Sequence, residues 1–352
     1  MTNSSNFWYN KRVLLTGHTG FKGSWMALWL KRLGAQLTGI ALPPNTTPNL
    51  FDLARVKEGM DSHFCDIRDA ESLTHLIHSV RPEVVFHFAA QPLVRASYRD
   101  PISTFSSNIM GTVNLLNALR NVDSIRSVVM ITTDKVYQNN EWPWPYREDD
   151  ILGGHDPYSA SKAACEIVID SYRNSFLSQQ GINVASARAG NVIGGGDWSE
   201  DRLLPDAIRS WQSKKVLEIR RPQATRPWQH VLEPLSAYLS LAEALWNNAD
   251  IAGAFNFGPS SQDVATVKEV IELSRAAYGS GDVKYTCTID NLHEAGFLSL
   301  EVSKARTILD VKPKWNLSES IQYTMNWYRA QHEGKNTRTL CDEDINRYER
   351  TL

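Results

Sequence analysis

Tyr158 and Lys162 stand four residues apart in the run Tyr-Ser-Ala-Ser-Lys. Residues at that spacing share one face of a helix, so an ammonium can sit beside a phenol. Lowering a tyrosine pKa from about 10 to about 7 takes roughly 4 kcal/mol of differential stabilisation. A nearby ammonium and a cationic nicotinamide have the right sign to supply it. The product is a base that takes a proton from an alcohol while a hydride leaves. A second constellation is Gly17, Gly20 and Gly23, a Gly-x-x-Gly-x-x-Gly run directly after the apolar segment 12–16. There the first glycine permits a tight turn, the second lets backbone N–H groups approach a pyrophosphate, and the third allows close helix–strand packing. The positive end of the following helix adds to the attraction. A third is Thr132-Thr133-Asp134-Lys135-Val136-Tyr137, at the end of another apolar run. By residue type alone, Asp134 and Lys135 read as a solvated strand-end ion pair of small worth.

These groups need a scaffold, and the pattern supplies one. Apolar strand-like runs fall at 12–16, 36–42, 62–65, 83–88, 127–132 and 182–187, with helical stretches at 24–33, 69–80, 103–120 and 159–177. Near-continuous apolar strands between amphipathic helices predict a parallel sheet covered on both faces. Right-handed crossovers then give a doubly wound α/β fold, in which the glycine triplet after the first strand becomes a dinucleotide loop. Beyond 189 the pattern loosens. A helix at 203–213, one at 234–246, a returning strand at 254–257 and helices at 267–278 and 318–331 describe a smaller, interleaved α/β lobe. The expected division is 1–188 plus about 226–258 for the dinucleotide domain, 189–225 plus 259–330 for the substrate lobe, and 331–352 as a C-terminal tail. Residues 334–352 are polar with no evident task, either disordered or packed at an interface.

Composition excludes several classes. In 352 residues, 37 Lys+Arg face 39 Asp+Glu, for a net charge of -2, without the basic footprint of a nucleic-acid binder. Apolar content of 42% with 22% charged residues is ordinary for a globular chain. No apolar stretch approaches the roughly 20 residues of a membrane span, and the first residues lack a signal-peptide core, so a soluble cytoplasmic protein is expected. Cys65, Cys165, Cys287 and Cys341 have no zinc-type spacing and read as reduced thiols. His75 and His78 have no acidic or Cys partner nearby, and no metal site is expected. The second strand ends Ala41-Leu42-Pro43-Pro44, with neither the acid that holds an NAD ribose nor the arginine that suits NADP. Asp66, after the third strand, can reach the adenine instead. That position alone leaves NAD and NADP both open.

The run Thr16-Gly17-His18-Thr19-Gly20-Phe21-Lys22-Gly23, the segment His87-Phe88-Ala89-Ala90-Gln91, Asn108 and the Tyr158/Lys162 pair together resemble the extended short-chain dehydrogenase/reductase family over about residues 11–330. The resemblance implies a Rossmann-type domain, a nucleotide-sugar substrate and a homodimer built as a four-helix bundle from the helices near 103–120 and 159–177, with a tetramer as a further possibility. It also implies a tightly retained NAD, held by Gly17, Gly20, Phe21, Lys22, Gly23, Asp66, Ile67, Ala89, Ala90, Gln91, Asn108, Thr132, Tyr158 and Lys162. Within the family, Asp134-Lys135, the run Arg188–Trp198 and the run Thr225–Val231 resemble the sugar-nucleotide 4,6-dehydratase branch in its CDP-D-glucose-using form, which implies a place in bacterial O-antigen and lipopolysaccharide synthesis.

That likeness implies an oxidation, elimination and reduction on one sugar. Tyr158 takes the O4 proton as the C4 hydride passes to NAD, and Thr133 hydrogen-bonds O4. Lys135 then removes the C5 proton while Asp134 protonates the departing C6 hydroxyl, and the hydride returns to C6. An unperturbed lysine is neutral roughly once in 2,500 molecules at pH 7, a handicap of about 4.6 kcal/mol that desolvation and nearby positive charge must reduce. Asn191, Arg202 and Arg226 are implied near the pyrophosphate, where arginine makes bidentate contacts. His230 is expected to be structural, and Trp198 covers the base ring or belongs to the core. Rival readings are a dehydratase for another nucleotide sugar, a UDP-sugar 4-epimerase, and a non-catalytic NAD(P) sensor. The epimerase has no use for Asp134-Lys135, and the sensor none for the proton-transfer set.

Overall fold

The apolar runs become one sheet. The computed structural model describes residues 4–260, 264–286 and 296–351; Cys287 lies outside them. The strands are β1 (Arg12–Thr16), β2 (Gln36–Ala41), β3 (Asp61–Phe64), β4 (Val84–His87), β5 (Ser127–Ile131), β6 (Asn183–Ala189) and β7 (Ala254–Phe257). Their order is β7-β6-β5-β4-β1-β2-β3, and every adjacent pair is parallel. Val13 and Leu15 of β1 face one apolar core while Leu14 faces the other, the period-two alternation of a strand buried on both sides. Chain direction along the sheet reverses between β1 and β4, and such a switch point opens a crevice at the carboxyl ends of the strands. The doubly wound fold expected from the sequence is the observed one.

The helices that matter here are α1 (Phe21–Arg32), α2 (Ala70–Val80), α3 (Gly111–Ala118), α4 (Pro157–Tyr172), α5 (Leu232–Asn247) and α6 (Thr337–Arg350). α1 begins at Phe21 rather than 24, because Gly20 is its extended N-cap. The helix expected at 103–120 is broken into Pro101–Phe105, a π turn Ser106–Met110 and α3. α4 starts on Pro157, pre-set for a first helical position, with Asp156 capping the Ser159 N–H. In the smaller lobe, Val192–Ile193 pairs with Gln229–His230, Thr225–Arg226 with Ala265–Thr266, and Leu217–Ile219 with Val283–Tyr285.

The polar end of the chain differs from expectation. Asn336 caps α6, and Leu340, Cys341, Ile345 and Tyr348 are buried in the core shared with α1. Trp29 Nε1 donates to Glu349 at 2.9 Å and the Tyr348 hydroxyl donates to Glu233 at 2.8 Å. Among the described residues, no helix is long and apolar enough to cross a membrane.

Candidate active site

The glycine loop is shaped by two kinds of demand. Gly17 has φ +78, and a Cβ there would lie 2.7 Å from the Ala89 nitrogen; one on Gly23 would lie 2.0 Å from the Gly17 carbonyl oxygen. Both glycines are required by the protein's own backbone. Gly20 is different: a Cβ there meets only the Gly17 oxygen, at an ordinary 3.5 Å. Nothing in the chain excludes a side chain at the mouth of α1, so a ligand's close approach is the remaining reason for glycine. This cradle, at the N-terminus of a helix beside the β1/β4 switch point, fits a dinucleotide pyrophosphate.

The other expected cofactor residues gather around the same crevice, though not all with free side chains. Thr16 Oγ1 bonds the His87 ring at 2.7 Å and accepts from the Ala89 N–H at 3.1 Å, tying the ends of β1 and β4 together. Gln91 and Asn108 exchange bonds, the Gln91 N–H to Asn108 Oδ1 at 2.8 Å and Asn108 Nδ2 to the Gln91 carbonyl at 3.1 Å. Asn108 also donates to Ser161 on α4. Ala90 is half-buried beside them. The Asp66 carboxylate is occupied by Arg68, which lowers its pKa. Ile67 is buried against Gly111. Phe21 packs on Gly194. Lys22 donates to the Tyr238 hydroxyl at 3.2 Å, and its pKa falls to about 7 because it is desolvated and shares the crevice with Arg202 and Lys162.

The segment after β5 carries the second half of the site. Thr133 caps a single 3-10 turn, Asp134–Val136, and so turns consecutive residues off the strand end toward the crevice. Asp134 is 2% exposed, not the solvated strand-end group its residue type suggested. Its Oδ1 accepts from the Thr133 hydroxyl at 2.9 Å, while its buried Oδ2 has no partner. Burial raises the Asp134 pKa against the opposing pull of Lys135, Thr133 and Arg226. Burial lowers that of half-buried Lys135, against the pull of Asp134. The pair is thus pushed toward a neutral acid beside a neutral amine.

Tyr158, on the first turn of α4, meets this turn through hydrogen bonding to Thr133. Lys162 is one turn further on, buried, with its Nζ donating to the Ile131 carbonyl at 3.1 Å. The expected lowering of Tyr158 by Lys162 draws also on a cationic nicotinamide, and the protein chain alone acts in the opposite direction. Burial holds Tyr158 up at about 12, and the groups that pull it down are Thr133 and Arg202.

Arg202 and Arg226 both act electrostatically on Lys135, lowering its pKa further. Arg226 is buried and donates to the Thr225 carbonyl at 2.8 Å, and Arg202 donates to the Pro92 carbonyl at 3.3 Å. Asn191 uses its carbonyl to accept the Gln229 N–H. His230 lies in the core between Trp25 and Trp315. Trp198 is 7% exposed and packs edge-on against Tyr328 at 5.4 Å, a core residue. Sequence reasoning missed Glu166, which accepts from Thr132, Ser186 and Arg188 directly beneath the turn. Its signal was an acidic residue four places after Lys162, on the same helix face.

The chain is similar to known sugar-nucleotide enzymes. The family model described as GDP-mannose 4,6 dehydratase matches residues 14–324. The chain is 46% identical over 350 residues to a CDP-glucose 4,6-dehydratase of Salmonella typhimurium, covering 97% of each. It is 25% identical to a UDP-glucose 4-epimerase of Mycoplasma pneumoniae, covering 90% of this chain and 96% of the relative. Among solved structures, the fold superposes on dTDP-glucose 4,6-dehydratase from Bacillus anthracis in complex with NAD, with TM-score 0.76, 23% identity and 92% and 97% coverage. A UDP-glucose 4-epimerase from Stenotrophomonas maltophila with bound NAD gives TM-score 0.80 at 21% identity, with 92% and 99% coverage. On a match spanning most of its length and a relative nearly half identical, this chain belongs to the GDP-mannose 4,6-dehydratase family of enzymes.

Proposed function

We propose that this protein is a hydro-lyase that converts CDP-D-glucose to CDP-4-dehydro-6-deoxy-D-glucose and water, using retained NAD, in cytoplasmic deoxysugar supply for bacterial O-antigen and lipopolysaccharide. The observation that carries the reading is the buried turn beside Tyr158, with an unpartnered Asp134 oxygen next to an amine of lowered pKa. An epimerase needs only the tyrosine; an elimination needs this acid and base as well. The CDP sugar is favoured by the 46% identical relative of that name.

In this reading NAD lies in the cradle of Gly17, Gly20 and Gly23 and supplies a hydride acceptor that later becomes a donor. Tyr158 takes the proton from the sugar O4, and the Thr133 hydroxyl orients that oxygen. The ketone at C4 acidifies the C5 hydrogen. Lys135 removes that proton as Asp134 gives its own to the C6 oxygen, so one water leaves. Lys135, now charged, returns a proton to C5 when C6 is reduced. Asn191, Arg202 and Arg226 hold the pyrophosphate. The division expected from the sequence serves this scheme, one part for the dinucleotide and the interleaved lobe for the sugar nucleotide. Exposed Ile102, Phe105, Met110 and Ile167 on the helices before α3 and on α4 support a homodimer through those helices.

The test supplies purified protein and NAD with CDP-glucose, dTDP-glucose, UDP-glucose and GDP-mannose in turn, and follows formation of the alkali-absorbing keto sugar. Turnover is expected with CDP-glucose at the highest kcat/KM. Preference for another base reassigns the substrate, and a C4 epimer without keto sugar refutes the dehydratase reading.

A further inference from the structure

Glu166 lies one turn beyond Lys162 on α4, and Arg188 lies near the end of β6. Their charged ends meet at 2.8 Å, with both side chains 4% exposed. Removing two charges from water commonly costs more than their attraction returns, so such a pair is weak evidence for stability. Its retention calls for another reason.

The remaining bonds of the pair supply one. Glu166 accepts from the Thr132 hydroxyl with one oxygen and, with the other, from Arg188 and from Ser186 at 2.6 Å. Arg188 Nη1 donates to the Tyr137 hydroxyl at 2.8 Å, and its guanidinium lies over the Tyr137 ring at 5.1 Å. Thr132 is the residue immediately before the turn 133–136, and Tyr137 is the residue immediately after it. The Tyr137 hydroxyl donates onward to Asn256 on β7 at 2.7 Å. One ion pair thus grips the catalytic turn at both of its ends, from a helix on one side and a strand on the other.

We infer that Glu166 and Arg188 are positioning residues whose buried pair clasps the turn and fixes Asp134 and Lys135 for the elimination step; the inference rests on the dehydratase reading above. The charge states agree with a clasp that stays ionised: burial works against both charges, yet mutual attraction and hydrogen bonds hold Glu166 below its ordinary value and Arg188 above its own. Tyr158 is carried on α4 itself, and of the turn's residues Thr133 only orients O4 for the oxidation while Asp134 and Lys135 serve the elimination directly, so the clasp acts on elimination more than on the first oxidation.

The test uses Glu166→Leu/Arg188→Met, a double replacement that leaves no charge buried alone and is commonly tolerated. Melting is expected to stay near that of the parent. The kcat for dehydration is expected to fall about a hundredfold, the scale on which small misplacement of catalytic groups acts. KM for the sugar nucleotide and the single-turnover rate of nicotinamide reduction are each expected to change less than about threefold, the pattern of an interaction lost only after binding. Tyr137→Phe, which deletes one hydroxyl of the clasp, is expected to lower kcat about tenfold with the same split, and decides the matter should the double variant not fold. Parent-like kcat in the folded variants, or equal losses of oxidation and elimination in step with the folded fraction, overturns the clasp. The parent is first matched to whichever sugar nucleotide it dehydrates, so failure of the CDP assignment leaves this test intact. A parent that dehydrates none overturns both readings.

Discussion

Buried carboxylates in two regions of the molecule are treated differently. Beneath α6, Glu233 is raised by burial but fully engaged, accepting from the Trp315 and Lys314 N–H groups and from the Tyr348 hydroxyl. After β5, Asp134 is also raised by burial, yet one of its oxygens is buried with no partner. An unpartnered oxygen does not by itself set Asp134 apart, since Asp344 Oδ2 on α6 is also buried without a partner; Asp134 differs in facing Lys135, an amine of lowered pKa, beside Tyr158 in the crevice. Glu233 fastens the closing helix to α5, while burial favours the protonated form of Asp134 beside the amine of Lys135.

The sharpest way to break that comparison is Asp134→Asn, which keeps size and the bond from Thr133 but removes the transferable proton. Steady-state kinetics are expected to show kcat lowered about 10³-fold, within the range of a lost general acid, and calorimetry an unchanged melting temperature. Near-parent kcat would put the two carboxylates in the same class.

The pH profile sharpens it next. The proposed elimination needs Lys135 neutral and Asp134 protonated, and burial shifts each toward that form. The kcat of the parent should rise with pH as Lys135 loses its proton and fall as Asp134 loses its own, the two limbs belonging to the coupled pair. A stopped-pH series on Asp134→Asn should retain the rising limb and lose the falling one.

The structural carboxylate should answer in stability instead. Glu233→Ala leaves the Trp315 and Lys314 N–H groups without their acceptor, and chemical denaturation is expected to show a loss of about 3 kcal/mol. The kcat per folded molecule should be unchanged.

The smallest effect concerns Asp344 on α6, whose pKa burial lifts to about 7 against the pull of Arg347. Its raised folded value means that its contribution is complete below the unfolded pKa near 4 and is lost as pH rises through about 7. Asp344→Asn should therefore melt above the parent near pH 8, by at most a few degrees, and the gap should close as the pH falls toward about 5.

Much of this was legible in the sequence because it is local. The strand and helix periods, the glycine spacing and the four-residue step from Tyr158 to Lys162 each depend on neighbours along the chain. The unread part depends on distant ones. Residues 337–350 are dominated by charge, and the helical spacing of Leu340, Ile345 and Tyr348 behind Asn336 has meaning only once α1 and Glu233 are there to receive it. For Tyr158, burial in the chain alone outweighs the neighbour four residues away, whose ammonium donates to the Ile131 carbonyl, so its lowering depends on the charge of the bound cofactor, which spacing along the chain does not describe. Residue type alone would leave Asp134 and Lys135 solvated, and it is the family resemblance that places them in a site; adjacency does not say which way a turn faces, whereas the Thr133 cap does. Glu166 and Arg188 meet only when α4 packs on β6.

In the proposed reaction the amine at 135 moves the C5 proton while its neighbour gives one to the C6 oxygen. Mass spectrometry and proton NMR of product formed in deuterium oxide test it directly, comparing the parent with Lys135→Ala at matched folded concentration. Deuterium at C5 is expected with the parent, because the other hydrons of the amine come from solvent, and its rate of incorporation is expected to fall about 10²-fold or more without the amine. Incorporation at the parental rate in Lys135→Ala would contradict it.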